Sequence, residues 1–164
     1  MLPVLLAVAC STGPKHEDSA PMPPPVENVK PAIGPKVYLD TPRGEVAVSV
    51  EVVATEAKIE RGLMYRQHLP PDDGMLFLMD KVKDWSFWMH NTLIPLDIIF
   101  VTPEMTVAGV AASAEPQTDS LRKVGVPSLY VLEVNGGYCA SHGVAAGAKV
   151  RFEGVPLSTR NSRP

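Results

Sequence analysis

From Lys36 onward the apolar residues come in short runs, none longer than a strand, and each run ends in residues that turn the chain. Val37 and Leu39 alternate with polar neighbours before Thr41-Pro42-Arg43-Gly44, and Val46, Val48, Val50 and Val52 then alternate with small or polar partners, the signature of a hairpin with a Pro-Gly turn. The continuous run 75–79 has strand length and predicts a strand buried on both faces. Further strand-length segments are expected at 85–89, 96–101, 106–112, 129–134 and 150–152. Helical spacing is confined to 56–65, where Ile59, Leu63 and Met64 form a stripe behind a Thr55 cap, and to a short piece at 137–142 ended by Gly143. Many short strands with one or two short helices predict a mainly β fold, a compact β-sandwich or barrel of mostly antiparallel strands.

The first 35 residues read differently. Prolines at 14, 21, 23, 24, 25, 31 and 35 are mixed with small and charged residues, so no apolar face forms and a semi-extended spacer is expected. Before it, MLPVLLAVAC is an apolar run whose Ala7-Val8-Ala9-Cys10 resembles the lipobox of bacterial lipoprotein signal peptides, although no Lys or Arg precedes the run. The resemblance implies lipidation at Cys10 and a chain held at a bacterial envelope, facing the periplasm or the exterior, with the lipid anchor as its only membrane contact. The expected organisation is a signal peptide over 1–10, a spacer over 11–35, one β-rich domain over 36–153 and a flexible tail over 154–164. The second cysteine, Cys139, is then left unpaired among small and apolar neighbours and reads as packing. No apolar run approaches the roughly 20 residues of a membrane-spanning helix. A net charge of −3 argues against the basic surface that binding to nucleic acid requires, so no nucleic-acid partner is expected.

Several stretches together resemble one family. Glu60-Arg61-Gly62-Leu63-Met64-Tyr65-Arg66, Gly74-Met75-Leu76-Phe77, Phe87-Trp88-Met89-His90-Asn91-Thr92, Ile94-Pro95-Leu96-Asp97-Ile98-Ile99-Phe100 and Tyr130-Val131-Leu132-Glu133-Val134 look like the bacterial and archaeal domain of unknown function 192. The resemblance implies a compact, often exported β-rich domain with no established reaction. Where members carry a cysteine-containing loop after an Ala-Glu-Pro segment, this chain has Gln117-Thr118-Asp119, so cysteine chemistry in that loop is absent.

The polar residues worth weighing lie inside the greasiest segment, FWMHNTLIPLDIIF. Strand alternation puts Asp97 on the face of Ile99 and Val101, where a carboxylate must either line a cavity or accept hydrogen bonds from a nearby loop, from the Asn91-Thr92 turn, or from Arg61 or Arg66. Asn91 and Thr92 suit a turn before Pro95. His90 brings a cationic or hydrogen-bonding tip beside Trp88 and Asn91, and Arg61 could converge on it from the helix. The ligand-binding candidates are therefore Arg61, Trp88, His90, Asn91 and Asp97, forming a polar cluster on an aromatic wall. Met64, Met75, Met79, Met89 and the lone Cys139-x-x-His142 pair do not add up to a metal site, and no cofactor motif is present. The chain thus reads as an envelope-anchored binding or accessory module with a small-ligand or peptide pocket, its partner an unknown small ligand or envelope protein. One rival is an enzyme using His90 and Asp97 as acid and base, which requires the two side chains to meet directly or through one water. The other is a purely structural domain with every polar group satisfied internally.

Overall fold

The structure is a computed structural model and describes residues 34–157; Cys10, the signal-like run, the spacer up to residue 33 and the tail from residue 158 lie outside the described residues. Seven strands form one sheet. They are β1 (Lys36–Thr41), β2 (Gly44–Val53), β3 (Asp73–Lys83), β4 (Leu96–Val101), β5 (Val107–Ala114), β6 (Ser128–Asn135) and β7 (Val150–Glu153). Helix α1 (Glu56–Arg61) links β2 to β3, and α2 (Tyr138–His142) follows β6. The spatial order is β5-β4-β6-β3-β2-β1-β7, and every neighbouring pair is antiparallel except β2 and β3, which run parallel through the α1 crossover. The sheet curls until its two edges approach each other. Thr106 bridges Lys149, Val107 N–H donates to Ala148 O at 2.9 Å, and Val150 N–H donates to Met105 O at 2.9 Å. The expected mainly β fold is therefore realised as one curled, half-barrel sheet whose edges are joined at the start of β5 and of β7.

Strand alternation sorts the apolar residues onto two faces. The first cluster draws on all seven strands, among them Val37, Val48, Leu76, Ile99, Val107, Leu132 and Val150, so it is the face enclosed by the curl; Tyr138 and Cys139 of α2 plug it. The second cluster, with Met75, Phe77, Ile98, Phe100 and Val131, is covered from outside by Leu63, Leu69 and Met89. Strands β3, β4 and β6 lie between the clusters, which is why the run 75–79 is apolar on both faces and every residue of β4, Asp97 included, is buried.

Two expectations require correction. The helix over 56–65 stops at Arg61, because Gly62 takes a φ of 46° and the chain drops to bury Leu63 beneath it. Thr55 occupies the cap position, but its side chain makes no capping hydrogen bond. The stretch 85–89 is extended without being a strand. Trp85, Phe87 and Met89 turn inward as alternation predicts, yet among the described residues the segment makes one bridge, between Phe87 and Arg122, and one further backbone bond, from Met89 N–H to Thr118 O at 2.9 Å. This segment lies over the second cluster as a cover and not in the sheet, so its alternation reflects burial on one side.

Candidate ligand pocket

Beneath the α1 turn is a cavity of about 180 Å³, lined by residues 59–64, by Phe77 and Met79 of β3, by residues 85–88, by Thr92 and by Glu133 of β6. The sequence places these walls in a simple way. Gly62 lets the backbone cross closely over the sheet: a Cβ there would sit 3.5 Å from Phe77 Cζ and 3.8 Å from Glu133 Oε2, at a backbone angle that side chains rarely adopt. Phe77 and Phe87 meet edge to face at 5.2 Å, and Phe87 meets Phe100 likewise at 6.0 Å, so the aromatic wall is braced from the core.

Glu133 is the unexpected member. It follows Leu129 and Val131 on the outward face of β6, opposite Met75 of β3 and Ile98 of β4, and only 5% of it is exposed. Among the described residues none donates a hydrogen bond to it. Burial pushes its carboxyl up to about 8, with no charged neighbour contributing. At neutral pH the base of the pocket is thus a mostly uncharged acid with free hydrogen-bonding capacity.

Arg61, the last residue of α1, lines this cavity and two larger clefts beside it, of about 330 and 370 Å³, and it makes no ion pair among the described residues. Arg66 instead pairs with Glu51 on the surface. Trp88 is 43% exposed at the rim and stacks on His90 with ring centroids 5.2 Å apart. His90 Nδ1 in turn lies 2.7 Å from Asp119 Oδ1. Asn91 has a φ of 52°, and its carbonyl accepts from Tyr65 N–H at 2.9 Å, tying the turn to the exit of α1. Arg61, Trp88, His90 and Asn91 therefore do converge, around one cleft next to the cavity beneath α1.

Asp97 does not join them. It is completely buried on the enclosed face, where Oδ1 accepts from Ser113 N–H at 2.7 Å and Gly137 N–H at 3.0 Å, and Oδ2 accepts from Cys139 N–H at 2.7 Å. These bonds tie β5 and the start of α2 to β4. Neither the Asn91-Thr92 turn nor an arginine is its partner, and the His90–Asp97 pairing needed for acid–base catalysis is not made. Two residues escaped the sequence reading. Glu133 carried the same signal as Asp97, a lone acid in an apolar strand, while Asp119 gave none because its meeting with His90 is a long-range contact.

A curled β-sheet whose outer face is roofed by a short helix and an aromatic cover segment defines the class of this domain. Residues 38–152 match the model of DUF192, described as "Uncharacterized ACR", and the chain belongs to that family. It is similar to a crystal structure of a protein of unknown function from Novosphingobium aromaticivorans DSM 12444, at 39% identity and a TM-score of 0.69, covering 71% of this chain and 83% of that one. It is also similar to a Sinorhizobium meliloti 1021 protein provisionally described as a transcription regulator, at 32% identity and a TM-score of 0.70, covering 75% of this chain and 97% of that one. No functionally curated protein matches the sequence.

Proposed function

We propose that the domain is a binding module that receives a small ligand in the cavity beneath α1. The observation that carries this reading is Glu133, a buried carboxyl with no donor among the described residues, facing a cavity walled by Phe77, Trp85, Phe87 and Trp88. A carboxyl that faces an open cavity and has no protein donor offers an acceptor that a ligand can take over from solvent. Protein-observed NMR with a library of fragments of six to ten heavy atoms tests the reading, because the chain has two tryptophans and both line the cavity. At least one fragment is expected to shift the indole N–H signals of Trp85 and Trp88 saturably. A library that leaves both signals unmoved removes the proposal.

The same reading places the module at a bacterial envelope, tethered through Cys10 and the proline-rich spacer. The support is the Ala7-Val8-Ala9-Cys10 pattern and the composition that follows it. In a host expressing the full chain, Cys10→Ala is expected to move the protein from the membrane to the soluble fraction. Identical fractionation of the two forms would refute the tether. A net charge of −3 gives no reason to extend the Sinorhizobium protein's regulatory description to nucleic-acid binding here.

A further inference from the structure

Glu133 also narrows the chemistry of the ligand, taking the cavity as a binding pocket as above. We propose that the pocket takes a small organic ammonium group, its cationic head on the Glu133 carboxylate and its short hydrocarbon part against Ile59, Leu63 and Met79. Three observations support this class over a neutral or anionic one.

First, the carboxyl receives no hydrogen bond from the described residues, and its sheet neighbours Met75 and Ile98 are apolar. An ammonium supplies several donors and the opposite charge at once, whereas an alcohol or amide supplies donors without charge. Second, the walls are aromatic, and ring faces attract cations. Trp85 already has the Lys83 ammonium 5.1 Å from its ring centroid, so this ring holds a cation within the chain itself. Third, the size sets a limit. At about 180 Å³ the cavity is close to the roughly 150 Å³ that holds a benzene ring and below the roughly 300 Å³ where pockets for larger ligands begin. A head with a chain of about four carbons fills this cavity, and anything longer would have to extend into the adjoining clefts of about 330 and 370 Å³. The other ionisable side chains lining the cavity are Glu60 and Arg61 of α1.

Binding of this kind is linked to a proton. The ammonium binds the carboxylate form, and burial holds Glu133 as the acid until about pH 8. The proton leaves the carboxyl for solvent as the ion pair forms. Apparent affinity should therefore rise about tenfold per pH unit from pH 6 towards 8 and then level off.

Tryptophan fluorescence of the full chain provides the test, with n-butylammonium, Nα-acetyl-lysine methylamide, n-butanol and butyrate as probes. The proposal expects saturable quenching or enhancement by an amine, at least tenfold tighter than by n-butanol, with an affinity that grows between pH 6 and 8. Tighter binding of n-butylammonium assigns the site to free amines, and tighter binding of the lysine derivative assigns it to lysine side chains. Glu133→Gln, nearly equal in shape, is expected to erase the preference for amine over alcohol. Should that variant fail to fold, calorimetry of the unaltered protein in two buffers of different ionisation enthalpy must still show close to one proton released per amine bound at pH 6.5. Equal binding of butylammonium and butanol, a preference for butyrate, or no proton release overturns the ammonium proposal while leaving a pocket in place. If no probe binds, the ammonium proposal fails, and the fragment experiment decides separately whether the pocket reading fails with it.

Discussion

Asp97 and Glu133 are buried carboxyls in adjacent strands, one register step apart, with opposite environments. Asp97 pairs with Val134 and Glu133 pairs with Ile98, so the two side chains leave the sheet on opposite faces. Three backbone N–H groups donate to Asp97 and satisfy its carboxylate. Glu133 has only burial. Its proton is held in the folded chain up to about pH 8 and in the unfolded chain only to the ordinary value of 4.5. Between those limits the unfolded state has lost a proton that the folded state retains, so stability falls as pH rises through this window and is flat above it. The full penalty is on the order of 5 kcal/mol. Urea unfolding at pH 5 and pH 8 should show most of this slope in the native sequence and little of it in Glu133→Gln; the same loss in both would assign the pH dependence to other groups. A single acid in an apolar strand is visible in the sequence at both positions, but whether backbone donors await it is not, because Ser113, Gly137 and Cys139 come from distant parts of the chain.

Individual strands were legible in the sequence because a period of two with turn residues between runs needs only local information. The hairpin of β1 and β2, the buried run in β3 and the C-cap at Gly143, which has a φ of 76°, all follow from their own residues. The cover segment over 85–89 was misread for the same reason: alternation reports a buried side, and it does not report whether the partner is another strand. Gly74 shows a related limit. Its neighbours suggest a turn residue, yet it lies within β3, and a Cβ there would approach the Glu133 carbonyl oxygen to 2.6 Å and Val48 Cγ1 to 3.0 Å. Close packing between β3, β2 and β6 makes it glycine, with no demand from φ. Gly74→Ala is accordingly expected to destabilise by about 1–3 kcal/mol, since backbone cannot yield as a side chain can. Thermal or urea unfolding reads this directly, and an unchanged midpoint would mean that the sheet relaxes at no cost.

For the molecule as a whole, the curl of the sheet creates both the closed interior and the exposed outer face that needs a roof. Closure between Met105–Val107 and Gly147–Val150 joins segments about forty residues apart, and the roof over the outer face combines α1 with residues 85–92. The pocket exists because that roof does not press flat: Gly62 and the rings of Phe77 and Phe87 hold it above Glu133. By itself the sequence determined what depends on neighbours along the chain: a mainly β domain, most strand positions, the turns and the family resemblance. Only the tertiary structure decided that the strands close into one curled sheet, that Asp97 serves the interior, and that Glu133 lies at the base of the cavity. The reason is physical. Hydrophobic periodicity specifies which side of a strand is buried, but the groups that satisfy or abandon a buried charge are brought together only by contacts between residues far apart in the chain.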